Sequence, residues 1–148
     1  MGQQQLLLVI LVTIIVGIAT VVAINAFGTA ADQAARDAVT LDLVSIAAAS
    51  QGYYIRPAML GGGGRSFANI DFNKFSFTAR VTPDTEGLEA ENENARYVMS
   101  GQAPGEFVVT ATISDQNQTT IAARICANGF QLGDTGSGGT APDPPACI

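Results

Sequence analysis

The sequence contains no histidine and no tryptophan, and charged residues make up only 14% of its 148 residues. Histidine is the commonest general base and the commonest metal ligand, so its absence excludes Ser-His-Asp and Cys-His catalysis. Basic residues are also few, 7 against 13 acidic ones, and the net charge is −6. General nucleic-acid binding needs a basic surface and is not expected. We therefore expect a protein that is not an enzyme, with no catalytic residue, no cofactor and no metal site.

Charge is missing altogether from the first 31 residues, since Asp32 is the first charged residue. Residues 6–23 read LLLVILVTIIVGIATVVA, and about 20 apolar residues in a helix suffice to cross a bilayer. This stretch can therefore span a membrane. A cleaved secretory signal is disfavoured, because its apolar run would be roughly 7–15 residues long and would follow a basic residue. A plain membrane anchor stays open.

The helical pattern continues beyond this apolar stretch. Residues 23–50 contain no proline and a single glycine, Gly28, and they are rich in alanine, a strong helix former. Asp32 and Arg36 stand four residues apart, where they can pair on one face. The sequence predicts one helix from about Gln3 to Ser50, roughly 70 Å long, whose second half is amphipathic. Because this length is more than twice a bilayer core, the second half must pack on something outside the membrane.

A domain of a different kind begins at Gly52. Pro57 and the run Gly61–Gly64 end the helix and predict a mobile loop. The stretch 133–145 is rich in glycine, serine and proline and predicts a second loop. Between these loops the hydrophobic period changes from that of a helix to that of a strand.

Alternating apolar and polar residues predict strands with one buried face. The predicted strands are 75–81, 107–113 and 121–126, with a shorter one at 97–100. The polar link 115–119 predicts a hairpin between the strands 107–113 and 121–126. The fold class is therefore α+β, with a long N-terminal α-helix, half apolar and half amphipathic, packed on a small antiparallel β-sheet of three to four strands. The expected domains are 1–28, 29–51 and 52–148.

The two cysteines, Cys126 and Cys147, both lie near the C-terminus. An even number of cysteines in an exported chain favours a disulfide. The pair encloses a loop of about 20 residues, whose closure contributes about 3 kcal/mol on chain-entropy grounds. This bond would tie the 133–145 loop to the last predicted strand, and two unpaired thiols are the alternative.

This order of features resembles the bacterial type IV pilins: an apolar N-terminal helix with an amphipathic second half, a loop, an antiparallel sheet and a C-terminal loop bounded by cysteines. Members of that family are held in the inner membrane as precursors, are cut by a prepilin peptidase after a glycine, and assemble with their helices bundled in a filament core. The resemblance implies that Gly2 is the processing site. It also implies that the helix bundle is formed by Leu6, Leu7, Leu8, Ile10, Leu11, Ile14, Ile15, Ile18, Val21 and Val22.

Two positions depart from the pilin pattern. Pilins usually have a Lys/Arg-rich leader before the glycine, whereas only Met1 precedes Gly2 here. Pilins also usually carry glutamate at the fifth mature position, which is Leu7 after cleavage at Gly2 and Gln5 if Met1 is the first mature residue. An archaeal-type relative, in which that glutamate is often missing, stays open.

Four further motifs have simple structural interpretations. Gly61–Gly64 lacks the lysine of a phosphate-binding loop and is interpreted as a flexible loop. The acidic run 84–93 fits no calcium-loop spacing and is interpreted as a solvated loop. The sequon at Asn117 is a candidate glycosylation site, with chance occurrence as the default. Tyr53 and Tyr54 are expected to pack against the sheet domain.

The function that the sequence favours is a structural one. An uncharged rod can leave lipid only for an equally apolar environment, and a bundle of identical rods provides one. We expect a homopolymer of many subunits that forms an extracellular filament on the cell surface. Its precursor would be inserted in the inner membrane and handled by the pilus assembly machinery. The alternative is a monomeric membrane-anchored binding module, including a minor pilin or pseudopilin of a secretion system.

Overall fold

A computed structural model describes residues 2–115 and 118–148 of the chain. The chain divides into two compact units, one ending at Ala35 and the other running from Arg36 to Ile148, which we call the head. The elements are α1 (Gly2–Ile55), a 3-10 helix (Ala58–Leu60), β1 (Arg80–Val81), β2 (Glu89–Glu91), β3 (Arg96–Ser100), β4 (Glu106–Thr112), β5 (Thr120–Cys126) and β6 (Gly129–Gly136).

The first unit is helical throughout its described residues. Every residue from 2 to 34 is exposed. The two hydroxyls within its apolar stretch are satisfied locally, since Thr13 donates to the carbonyl of Ile10 and Thr20 donates to that of Val16, both at 2.8 Å. The helix therefore presents hydrocarbon, with no unpaired hydroxyl, to its surroundings.

In the head, α1 buries one face. The buried residues recur every three or four positions, at Val39, Leu43, Ile46, Ala47, Ser50 and Tyr53, which is the spacing of one helical face. The helix ends at Ile55 rather than at the predicted Ser50. Gly52 does not stop it, because the Gly52 carbonyl still accepts a hydrogen bond from the backbone of Arg56. Pro57 stops it, because proline disfavours a helical conformation in the residue before it.

The described residues of the sheet form six strands, not three or four, and the α+β class is confirmed. Each strand pairs antiparallel with the next in sequence, so the sheet is a simple meander. In the predicted hairpin, β4 and β5 pair along their whole length, with Phe107 opposite Ile125 and Val109 opposite Ala123. The alternation along β4 is confirmed, since Phe107, Val109 and Ala111 are buried while the residues between them are partly exposed.

The predicted strand 75–81 is wrong over most of its length, because only Arg80 and Val81 pair with a neighbouring strand. Phe75 and Phe77 belong to an irregular segment whose rings pack on Phe72 and, for Phe77, edge-on against Tyr97. Their alternation comes from aromatic packing rather than from a strand ladder.

Strand β2 and the second half of strand β6 lie where the sequence predicts loops. β2 lies within the acidic run and has a single buried residue, Ala90, flanked by glutamates; Glu89 forms an ion pair with Arg96 on β3. β6 is an edge strand containing three glycines, and it includes the first four residues of the expected 133–145 loop. Neither strand has the alternation that identifies a strand in a sequence.

The Gly61–Gly64 run forms a hydrogen-bonded turn, not a mobile loop. The backbone N–H groups of Gly62, Gly63 and Gly64 donate to the carbonyls of Pro57, Tyr53 and Arg56. Gly61 and Gly64 have positive φ angles, which glycine adopts without strain. A side chain at Gly63 would overlap the Ser66 carbonyl oxygen and the Tyr53 ring. The turn is therefore built around glycine.

We expect Gly63→Ala to lower the free energy of unfolding of the head by about 1–3 kcal/mol, the usual cost of overpacking. Gly105→Ala is the matched control, because its new methyl group would meet no atom within 4 Å and its φ is not positive. Denaturant unfolding of the full chain in detergent, followed by circular dichroism, measures both. Equal midpoints for the two variants would show that the turn does not require glycine at position 63.

Candidate assembly surface

The ten residues expected to form the helix bundle all lie exposed on α1. Their exposed fractions run from 47% for Ile10 to 65% for Leu7. They include consecutive residues, so they surround the helix instead of lining one side. We call residues 6–27 the apolar segment. A helix that is apolar all round needs an apolar environment on every side, in a membrane or in a protein core.

This segment meets the length and composition requirements of a membrane span. An 18-residue window within α1 has a mean hydropathy of 3.2, and none of that window is buried. A membrane anchor near the N-terminus is therefore compatible with the structure. The same test is passed by signal sequences and by core helices, so length and composition alone do not distinguish lipid from protein as its surroundings.

Two glycines on this helix, Gly17 and Gly28, are not required by packing against any other described residue. A methyl group added at Gly17 or Gly28 would meet no atom within 4 Å, and neither residue has a positive φ. Glycine in a helix costs about 1 kcal/mol relative to alanine. Small residues allow close approach of a second helix in an apolar environment, so these positions suit contact with another helix.

Gly2 is the first described residue of α1, and Gln3, Gln4 and Gln5 follow it in the helix, all exposed. Cleavage after Gly2 remains a prediction. Asn117 lies outside the described residues, so the glycosylation site also remains a prediction. Tyr53 is buried and the Tyr54 ring packs at a tilt against Phe67, with ring centroids 4.7 Å apart, so both tyrosines pack against the head as expected.

A polar cluster that the sequence did not reveal fixes α1 to the sheet within the head. One carboxylate oxygen of Asp42, on the helix, accepts hydrogen bonds from Asn92, Asn94 and the Tyr97 hydroxyl, at 2.9, 2.8 and 2.6 Å. Burial alone would raise the pKa of Asp42, but the three hydrogen bonds outweigh burial and hold that pKa below its ordinary value. Burial and the Asp42 carboxylate raise the pKa of Tyr97, which stays protonated and donates.

We expect Asp42→Ala to lower the unfolding free energy at neutral pH by about 2 kcal/mol, because three donors lose a charged acceptor. The pKa of Asp42 is lower in the folded protein than its unfolded value of 3.8. Such a carboxylate stabilises the folded state at a pH above 3.8, and this stabilisation is lost as the pH falls through the folded pKa. The difference in unfolding free energy between wild type and Asp42→Ala should therefore become smaller below about pH 4. Asp37→Ala, at an exposed position of the same helix, is the control; a pH-independent difference for Asp42→Ala would refute the charge-based explanation.

A second cluster holds the C-terminal residues on the face of the sheet opposite α1. Arg124, on β5, donates to the Asp143 carboxylate at 2.9 Å, to the Pro145 carbonyl at 3.1 Å and to Glu106 at 3.2 Å. Cys126, also on β5, forms a disulfide with Cys147, with Cα atoms 5.8 Å apart. The C-terminal residues are thus attached to β5 by one covalent bond and by one partly buried guanidinium.

The described residues contain one group with metal-ligand atoms close together, Glu106 with Cys126 and Cys147. Both sulfurs are joined in the disulfide. A metal needs the thiolate form of cysteine, so in this oxidised form the group offers a single carboxylate. It is a structural cluster.

The chain matches no protein-family model, no curated protein and no solved structure.

Proposed function

We propose that this chain is the structural subunit of an extracellular type IV pilus-like filament, polymerised through its apolar segment. The observation that carries the proposal is the exposed apolar face, on every side, of residues 6–27, which belong to the helix Gly2–Ile55. Exposed hydrocarbon of this extent requires cover. Lipid covers it before assembly, and identical segments of other copies cover it afterwards.

One further feature favours a filament over a simple anchor, and two others support a head outside the cytoplasm, which both functions need. Packing among the described residues does not require glycine at positions 17 and 28, and glycine there favours close helix contact. The disulfide between Cys126 and Cys147 supports a head that lies in an oxidising compartment outside the cytoplasm. The head ends in a segment fixed covalently to the sheet, which suits a surface exposed to solvent and proteases.

The partners of such a subunit are other copies of the chain, the inner membrane before assembly and the pilus assembly machinery. The rival function is a monomeric membrane-anchored module or a minor subunit of a secretion system. It would use the same helix against lipid only, and its abundance in a filament would be low or zero.

Mechanical shearing of cells that produce the chain distinguishes the two functions. The proposal expects most of the chain in the sheared, high-speed pellet, in a form that detergent does not release as monomers. The rival expects the chain in the membrane fraction and its release by mild detergent. An integral inner-membrane protein, followed in parallel, shows whether shearing has broken the cells.

A further inference from the structure

A cleft in the head lies between the end of α1 and the irregular segment that follows Phe72. The helix side of this cleft is formed by Ala49, Gly52, Tyr53 and Arg56. Their spacings of three and four residues place them on one side of the helix. The other side is formed by residues 73–76. The cleft has a volume of about 440 Å³, which falls within the range of small-molecule sites, roughly 300–1,000 Å³.

The charge of this cleft is opposite to that of the chain. The chain has a net charge of −6, yet the cleft is lined by two cations, Arg56 and Lys74, and by no carboxylate. Among the described residues Arg56 forms no ion pair, and Lys74 has a long one, at 3.7 Å, with Asp71. Two other clefts of the head contain carboxylates, Glu86 in one and Glu91 in the other. The cleft at the end of α1 therefore favours an anionic ligand.

Tyr53 forms a fixed part of the lining. It is 5% exposed, its carbonyl accepts a hydrogen bond from the backbone of Gly63 at 2.9 Å, and its ring lies directly beside that glycine. Among the described tyrosines, only Tyr97 uses its hydroxyl in a hydrogen bond. A buried tyrosine hydroxyl usually has a hydrogen-bond partner. A ligand that carries hydroxyl groups can supply this partner to Tyr53.

Gly52 leaves space beside these groups. It lies inside α1 without a positive φ, and a methyl group there would meet no atom within 4 Å. Glycine destabilises a helix relative to alanine, and no packing contact among the described residues requires it here. A larger side chain at position 52 would fill part of the space that Tyr53 and Arg56 border. An open cleft accounts for a glycine that the fold of the head does not need.

The combination of groups in the cleft indicates the class of anion. A guanidinium such as that of Arg56 binds a carboxylate or a phosphate through two parallel hydrogen bonds. An inorganic ion would leave most of the volume empty and would not contact the rings of Tyr53 and Phe75. Asn73 and Ser76 can both donate to and accept from hydroxyl groups. A sugar that carries a carboxylate combines a negative charge, hydroxyl groups and an apolar ring face.

We propose that this cleft binds an acidic saccharide, whose carboxylate pairs with Arg56 and Lys74 and whose ring lies against Tyr53 and Phe75. The inference goes beyond the structural role proposed above and does not depend on it. All of the residues involved belong to the head of a single chain, so the site is complete in the monomer.

Titration of the isotope-labelled full chain in an uncharged detergent, followed by amide NMR signals, tests the inference. The probe is D-glucuronate, and D-glucose and inorganic phosphate are titrated in parallel. We expect glucuronate to shift the signals of residues 52–56 and 73–76 in a saturable manner. Glucuronate should bind about tenfold or more tightly than glucose, because only the acid forms charge-assisted hydrogen bonds. It should also bind more tightly than phosphate, which contacts neither ring.

Variants separate the cleft from the charge of the whole head. Arg56→Gln should weaken glucuronate binding by about tenfold or more. Its thermal midpoint should stay at the wild-type value, since the side chain is exposed. Arg80→Gln removes the same charge at an exposed position outside the cleft and should bind like wild type. Gly52→Leu should also weaken binding, because leucine occupies the space for the ligand.

Three results would overturn the inference. The first is the absence of saturable shifts at the cleft with glucuronate, or equal shifts with glucose. The second is equal affinity for phosphate, which would show a simple anion site. The third is an equal loss of binding in Arg56→Gln and Arg80→Gln, which would show attraction to the head in general. None of these results bears on filament formation, which the shearing experiment tests separately.

Discussion

Replacing Ile14 with aspartate is expected to eliminate filaments while leaving the chain in the membrane. Thirteen Leu, Ile and Val residues between positions 6 and 23 favour insertion by about 4–8 kcal/mol in total, whereas one central aspartate opposes it by about 3 kcal/mol. Insertion therefore survives. In a bundle, every copy would bring the same unpaired carboxylate into an apolar core, where burial of an uncompensated charge is strongly destabilising.

Ile14→Leu is the matched control, because it conserves volume and polarity and should assemble normally. Quantitative immunoblots of the membrane and sheared fractions measure both variants. Filaments of Ile14→Asp at wild-type abundance would show that residue 14 does not lie in an apolar core of subunits. Loss of Ile14→Asp from both fractions would show that insertion is more sensitive than the free energies indicate.

Removing the disulfide is the change with the largest expected effect on the head. The bond joins residues 21 positions apart, and closing such a loop contributes about 3 kcal/mol. For a unit of this size we expect the double variant Cys126→Ser/Cys147→Ser to unfold roughly 10 °C lower than wild type. The Arg124 contacts to Asp143 and Pro145 remain, so the C-terminal segment should loosen before the sheet unfolds.

A reductant provides the internal control for this experiment. It should lower the unfolding temperature of wild type to that of the double variant, and it should leave the double variant unchanged. The rate of hydrogen exchange in residues 137–148 should rise both in reduced wild type and in the double variant. An unfolding temperature that does not respond to reduction would show that the disulfide does not stabilise the head.

The long helix and strand β4 could be predicted because their hydrophobic periods extend over many residues. The apolar segment is uniform, and β4 alternates buried and partly exposed residues over seven positions. β2 offered only Ala90 between two glutamates, and β6 is an exposed edge strand with little apolar pattern. Their positions are set by pairing with β3 and β5, which a single sequence does not display.

The contacts that fix α1 and the C-terminus were hidden for a similar reason. Asp42 is 55 residues from Tyr97, and the hydrogen bond between them appears only once α1 lies on the sheet. Arg124 is one of seven basic residues and carries no motif. Conversely, the segment 75–81 has the pattern of a strand because Phe75 and Phe77, two residues apart, both pack on Phe72.

Electron cryo-microscopy of filaments sheared from the producing cells, with mass spectrometry of the same fraction, tests the central claim most directly. The account predicts thin filaments with this chain as their main component, residues 6–27 packed against copies of themselves at the axis, and heads facing solvent. The N-terminal peptide in the same sample would show whether Gly2 has been removed. Absence of filaments, with the chain confined to the membrane fraction, would contradict the account and favour an anchored module.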